Sequence, residues 1–437
     1  MYLKSVHVSN IRSIEHLSWE VEESRAPGWH VIIGDNGAGK SSLLRAIALA
    51  LVGPKEAMAL RQDWSTWIRR GKATATIGLQ LDPNKGYDKF SAGRPVENYY
   101  LPAAVVLERG LSRARSTGTA ELKKMPRLKF DPDRHVWGTG AGWFSASYGP
   151  FRRFLGGDKD YEKMFYTNPK LGRHLSVFGE SVALTECLAW LEELHFKQIE
   201  DKPEGKLLAP LTEFINQEGF LPHRAQLKNI STDGVSFVDG NGCDIPVEQL
   251  SDGYRSILSM TFELIRQLSI TYGPTRVFDP HDSLKVIAPG VVLIDEVDAH
   301  LHPSWQRRVG LWFREHFPKL QFIVTTHSPL VCQAANHGTV FRLPRPGSGE
   351  RGRMVEGTEL SRLLYGNVLD AYGTDLFGED ITRSEEAKKM LARLAELNQK
   401  DILGKLSVAE RNEMRVLRAM MPTAAHTARD HAPREEE

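Results

Sequence analysis

The period of the hydrophobic positions changes repeatedly along the chain, and each change predicts an element. The opening MYLKSVHVSNIRSI alternates like a half-buried strand, so Tyr2 to Val8 and Leu17 to Val21 predict an antiparallel pair around a turn at Asn10 to Glu15. Trp29 to Ile33 is a short apolar run and Lys40 to Val52 a run of helix formers, giving strand, loop and helix. Ala73 to Leu81 (ATATIGLQL) alternates again. Thr185 to Ile199 and Leu207 to Gln217 carry apolar residues at helical spacing and predict a helical subdomain. Gly234 to Val247 alternates about Asp239 to Gly242, a hairpin signal. Val291 to Glu296 and Gln321 to Thr326 predict buried strands, and Val340 to Leu343 a last sheet strand before a Gly/Pro/Arg loop, Pro344 to Arg353. Ser384 to Leu397 and Val408 to Met421 return to helical spacing, and the polar tail from Thr423 predicts disorder. Buried strands alternating with helices predict an α/β fold.

Composition narrows the class. The 437 residues suffice for a large core, and 25% charged with 41% hydrophobic residues is ordinary for a globular protein. A net charge of +1 excludes a wholly basic nucleic-acid binder but leaves room for a local basic face, such as the run Arg109 to Lys129. That run reads either as a solvated loop or as a nucleic-acid or partner contact. No apolar run approaches the 18 or more residues of a membrane span, and the first strand does not look like a secretory segment, so a cytoplasmic protein without membrane contact is expected. Cys187, Cys243 and Cys332 are isolated and odd in number, which predicts buried structural thiols instead of disulfides or zinc.

The chemistry concentrates at Gly34 to Ser42 (GDNGAGKSS). Gly34 to Ser41 fits G-x-x-x-x-G-K-[ST], a loop whose backbone N–H groups and following helix N-terminus face phosphate oxygens. Asn36, Gly37, Ala38, Gly39, Lys40, Ser41 and Ser42 form the predicted cradle for ATP, with Lys40 reaching the β and γ phosphates and Ser41 helping to hold Mg²⁺. The strand VVLIDE ends in two carboxylates that no core accepts without a cation or hydrogen-bond donors. Asp295 is expected to bind Mg²⁺ through Ser41 or water, and Glu296 to polarise the attacking water.

Further motifs fall in a recognisable order. VSNIRSIEHLSWEV resembles the N-terminal edge of ABC-type AAA family ATPases of the RecF, SMC and OLD group, LSDGYRS (Leu250 to Ser256) resembles their LSGGQ signature, and Asp298 to Pro303 (DAHLHP) resembles their D-loop region, with His302 where aspartate is usual. The strand QFIVTT leads to His327, Ser328 and Pro329, similar to their switch region. The resemblance implies an ABC-type P-loop ATPase head: a mixed central sheet with an antiparallel β arm, a helical subdomain and a C-terminal helical extension. It implies that Ser251 and Gly253 offer a hydroxyl and an N–H to a γ phosphate, although Ser251 also reads as a plain helix N-cap. It also implies that His327 hydrogen-bonds that phosphate and that Arg12 lies near the nucleotide, where the alternative is an exposed turn arginine. Catalytic weight falls on Glu296, Lys40 and His327. Ser147 to Arg153 (SYGPFRR) stands where the Q-loop works but holds no glutamine, so a hinge is an equal reading.

The resemblance divides the chain into an ATPase lobe over 1–165, a helical subdomain and hairpin over 166–250, and the signature, acidic strand and switch over 251–345. A helical extension over 346–421 and a disordered tail over 422–437 follow. No sustained heptad repeat separates Lys40 from Ser251, which excludes a long SMC-like coiled-coil arm. Similarity to the ATPase subunits of Septu-type anti-phage systems, with PARIS-type sensors second, implies an ATP-dependent head-to-tail dimer or higher oligomer and a separate effector nuclease. A RecF-like repair clamp that binds nucleic acid without an effector is the alternative.

Overall fold

The computed structural model describes residues 1–60, 62–90, 99–110, 119–138, 142–150, 167–179, 186–221, 224–231, 234–366, 371, 376–377 and 384–420. The chain divides into two compact units, Met1–Ala371 and Tyr372–Glu437.

In the first unit, β1 (Tyr2–Ile11) and β2 (Ile14–Glu20) are followed by β3 (Gly28–Ile33), β4 (Thr74–Asp82), β5 (Leu101–Arg109), β6 (Ala120–Lys124) and β7 (Ser145–Tyr148). Next come β8 (Gln226–Ser231), β9 (Gly234–Val238), β10 (Asp244–Pro246), β11 (Phe278–Asp279) and β12 (Asp282–Val286), then β13 (Gly290–Ile294), β14 (Leu320–Thr325), β15 (Gly338–Arg342) and β16 (Arg353–Met354). Six strands form the central sheet in the order β16-β15-β3-β14-β13-β7, parallel except at the β16 edge. An antiparallel sheet, β2-β1-β4-β5-β6, is the arm. The sequence patterns explain the difference: GWHVII, GVVLI and LQFIVT are buried at every position, as a sheet covered on both faces requires, whereas β4 alternates between core and surface. The expected α/β architecture with mixed sheet and antiparallel arm is therefore the one present.

The helix Lys40–Val52 is apolar nearly all round, and that is why it can sit inside one core with both sheets. Its Leu43, Ile47 and Leu51 belong to the same buried cluster as Val6 and Ile77 of the arm and Leu293 and Ile323 of the central sheet. A buried glutamine joins the sheets: Gln321 Nε2 donates to the Leu3 carbonyl at 2.9 Å, and its Oε1 accepts the Leu3 N–H at 2.6 Å. The side chain thereby satisfies backbone groups that would cost energy if left unpaired in the core.

Several expectations shift. The first turn is shorter than Asn10 to Glu15, because Asn10 and Arg12 take left-handed backbone (φ 58 and 47) and let pairing continue to Ile11 and Ile14. The expected hairpin belongs to a three-stranded sheet, β10-β9-β8, whose first strand carried too weak an alternation to read. The helix Pro303–His316 was not expected, and β16 follows the strand expected to be last. The prediction of three buried thiols fails at Cys243, which is exposed in the β9–β10 connection, where its N–H is held by Asp239. Cys332 is buried, and the Cys187 side chain lies outside the described residues.

The second unit contains the helices Glu385–Ile402 and Val408–Met420, close to the expected ranges. They bury Leu394, Leu397, Met414 and Leu417 against one another. Arg393 forks onto Glu413 with two bonds of 2.9 Å. The predicted tail lies outside the described residues.

Candidate functional site

The phosphate loop leaves β3 and turns into its helix through Gly37 (φ 80) and Gly39 (φ 104), backbone conformations that side chains rarely adopt. At Gly39 a Cβ would also come within 2.6 Å of Ser13 Oγ, so the glycine lets the β1–β2 turn press against the loop. Asn36 and Gly37 are exposed, Ala38 is buried, and Ser41 and Ser42 are half-buried in the first helical turn. No side chain caps this helix, so its leading N–H groups remain for an anion. Lys40 donates to the Gly34 and Asp35 carbonyls at 2.7 and 3.1 Å. Burial pushes its pKa down, opposed by Glu296, Asp295, Asp35 and Asp298, which places four carboxylates in electrostatic reach of the ammonium.

Those carboxylates come from the end of β13. Asp295 is 2% exposed, and its Oδ1 accepts the Thr325 hydroxyl at 2.6 Å. The same hydroxyl accepts the Glu296 N–H at 2.7 Å, and Glu296 itself takes left-handed backbone (φ 48). Asp298 Oδ1 is buried with no hydrogen-bond partner among the described residues. His302, which stands where the resembled D-loop usually has aspartate, caps the following helix by accepting the Ser304 N–H at 3.3 Å.

His327 follows β14 and stays exposed at the rim. Partial desolvation and then Lys40 hold its pKa below the ordinary histidine value, against the raising influence of Asp298, Glu296 and Asp295. The phosphate-loop lysine, the acidic strand end and the switch histidine therefore act on one another within a single chain.

The signature serine does not join them. Ser251 sits at the N-cap of the helix Asp252–Tyr272, yet its side chain makes no capping hydrogen bond, so the plain capping reading is not realised. Exposed, Ser251 lines a cleft of about 690 Å³ whose other walls are the β9–β10 connection, Gln249 and Arg224. No residue of the phosphate loop lines that cleft. Gly253 packs where a Cβ would meet the His300 carbonyl at 2.9 Å.

Arg12 lies at the tip of the β1–β2 turn with its guanidinium 4.8 Å from the Trp67 ring centre, a cation–π arrangement. Burial and then Arg45, one turn into the phosphate-loop helix, lower its pKa. The turn also borders a cleft of about 480 Å³ over Gly37 and Ala38, closed from the other side by Pro344, Arg345 and Pro346. Arg12 is thus a half-buried arginine fixed beside the phosphate loop and not a free turn residue.

Sequence reasoning missed Thr325, whose only signal was a hydroxyl at the end of a buried strand next to two carboxylates. It missed Arg45 and Arg69 as well. Arg69 holds the turn, donating to the Ser13 carbonyl at 2.6 Å. In the basic run, three of the five described cations have polar or charged partners in the fold, Lys129 lies 3.9 Å from the Tyr99 ring centre, and Arg127 is exposed. Arg109 donates to the carbonyls of Ser65, Ile68 and Lys72, Lys123 pairs with Glu108 and Glu121, and Lys124 pairs with Asp131 and Asp133. Of the Q-loop candidate, Ser147 and Tyr148 lie in β7 beside β13, while 151–153 fall outside the described residues.

Two known families match: "AAA domain, putative AbiEii toxin, Type IV TA system" over residues 186–333 and "AAA domain" over residues 5–89. The Retron Ec83 probable ATPase of Escherichia coli is 31% identical over 475 residues, covering 90% of this chain and 83% of that protein. Septu protein PtuA of Bacillus mycoides (strain KBAB4) is 27% identical over 342 residues, covering 78% of this chain and 40% of PtuA. Among solved structures, the SMC head bound to the C-winged helix domain of ScpA is 16% identical with a TM-score of 0.48, covering 83% of this chain and 100% of that one.

Proposed function

Because this chain belongs to the family of ABC-type ATPases that includes the Retron Ec83 probable ATPase, we propose that it hydrolyses ATP in the cytoplasm as a head-to-tail dimer and thereby regulates a separate effector nuclease in anti-phage defence. One observation carries the dimer: Lys40, Asp295, Glu296 and His327 act on one another, while Ser251 opens onto a different cleft. A second copy brings that serine to the phosphates. The effector reading rests on the likeness to Septu protein PtuA. A nucleic-acid clamp is the second reading, and in the basic run Arg109, Lys123 and Lys124 already have partners in the chain while Arg127 is exposed.

In this reading the triphosphate lies along the phosphate loop, held by its N–H groups and by Lys40. Glu296 orients the attacking water and accepts its proton, and His327 at the rim donates an N–H to the γ phosphate. The donor set suits Mg²⁺: a buried carboxylate at Asp295, the Ser41 hydroxyl and an unpartnered oxygen on Asp298 are hard oxygen ligands. Bound there, the ion would neutralise charge on the β and γ oxygens.

Subunits carrying Lys40→Ala and Ser251→Arg test the dimer. Each alone should be inactive, and mixing should restore one intact composite site per heterodimer and partial turnover. Activity equal to the sum of the two inactive proteins, under conditions that permit exchange, would rule out the head-to-tail arrangement.

A further inference from the structure

The signature side of the chain carries a cation with no task in the chemistry described so far. Arg224 precedes β8, is exposed, and has left-handed backbone at φ 60, a conformation that costs an arginine energy a glycine would not pay. It lines the same cleft as Ser251, together with Asn241 and Gln249. Among the described residues its guanidinium makes no hydrogen bond or ion pair. The carboxylate in that cleft, Asp239, is already occupied: its Oδ1 accepts the N–H groups of Asn241 and Cys243 at 2.8 and 2.9 Å. The Ser251 hydroxyl does not cap its own helix. A forked, permanently charged donor and a serine hydroxyl thus share one concave face without side-chain partners among the described residues. That pair of groups matches an anion with several oxygens, above all a phosphate.

We propose that Arg224 acts in trans, contacting the γ phosphate of the ATP bound by a second copy and stabilising the charge that builds on it during transfer. The proposal rests on the head-to-tail dimer. In the step it assists, the water oxygen bonds to the γ phosphorus while the bond to the bridging oxygen breaks. ADP leaves with that electron pair, and the water proton passes to Glu296 and on to phosphate. Arg224 donates N–H groups and is itself unchanged. Lys40 holds the phosphates from the loop side, so a cation arriving with the signature would complete the enclosure from the other.

The test uses the full chain with Arg224→Ala and Arg224→Gly. The glycine relieves the left-handed backbone, so this variant should melt no lower than wild type while its kcat falls about 10²-fold or more, with ATP binding retained. Opposite movement of stability and turnover is not what a purely structural residue gives. Mixed with Lys40→Ala, either variant should regain partial turnover, because the composite site then joins an intact phosphate loop to an intact Arg224. Wild-type kcat in both variants would overturn the proposal. So would inactive variants that Lys40→Ala fails to rescue while the Lys40→Ala and Ser251→Arg pair does regain activity, since the arginine would then serve its own subunit. Failure of both mixtures would instead remove the dimer, and the proposal with it. If Arg224→Ala does not fold, Arg224→Gly alone decides the outcome.

Discussion

Thr325 and Asp295 meet at 2.6 Å, the hydroxyl at the end of β14 donating to a carboxylate oxygen that is almost completely buried. Because the same hydroxyl accepts the Glu296 N–H, one side chain ties the Asp295 carboxylate to the Glu296 backbone just after β13. Replacing it by the nearly isosteric valine removes a hydrogen bond from a buried carboxylate and another from a backbone N–H, at about 1–3 kcal/mol.

Thr325→Val is therefore expected to lower kcat about tenfold or more with little change in the KM for ATP, because the phosphate loop is untouched. Thr325→Ser, which keeps the hydroxyl, should stay within a few fold of wild type. Steady-state ATPase assays at saturating Mg²⁺ give the comparison, and equal kcat in all three proteins would remove Thr325 from any positioning role.

Glu296→Gln should retain ATP binding and nearly abolish turnover. The amide cannot accept the proton of the attacking water, while Lys40 and the loop N–H groups are unaffected. Nucleotide-bound dimers should then accumulate, visible as a shift in size-exclusion chromatography with ATP. Single-turnover hydrolysis within a few fold of wild type would show that another group activates the water.

Two fully buried histidines make stability depend on pH. Burial lowers the pKa of His30 to about 4 and of His174 to about 3, the latter held between the hydroxyls of Ser145 and Ser147 at 2.9 Å each. Unfolded, both would titrate near their ordinary value of about 6.5. Between that pH and their folded pKa values the unfolded chain binds the extra protons. Stability is thus fully present above about pH 6.5 and falls as the pH drops, by about 1.4 kcal/mol per unit for each histidine, until the folded pKa is reached. Denaturant titrations from pH 7 to 4.5 should show this loss, and His174→Gln should flatten it by one proton's worth. An unchanged slope in that variant would mean His174 is not a source of the linkage.

The parts legible in the sequence share a feature: their chemistry is local. Gly34 to Ser42 needs only its own backbone and the helix it opens, and the apolar runs of β3, β13 and β14 declare burial on both faces without help from elsewhere. Long-range pairings were not legible. Nothing near Gln321 announces that it bridges to Leu3, nothing near Thr325 names Asp295, and Arg12 gains its place only when Trp67 and Arg45 are folded around it. Cys243 was misjudged for a related reason. Its type suggests burial, but the Asp239 carboxylate gathers its N–H into an exposed connection, and local hydrogen bonding outweighs residue preference there.

The C-terminal helices cover only some of their apolar residues. Leu394, Leu397, Met414 and Leu417 are buried within the pair, while Ile402, Leu403, Val408, Val416 and Met420 are 53–86% exposed. A helical pair with so small a core is marginal by itself, because helices of this length draw most of their stability from packing. The first compact unit ends at Ala371, after all the nucleotide motifs. A chain ending at Ala371 is expected to fold cooperatively, bind ATP with wild-type affinity and retain the mutual influence of Lys40, Glu296 and His327. What it should lose is assembly: a co-purifying effector or the largest oligomer, read by multi-angle light scattering after co-expression. If the shortened chain unfolds, the helices belong to the catalytic core. If it keeps both partner and mass, the docking surface lies elsewhere on the first unit.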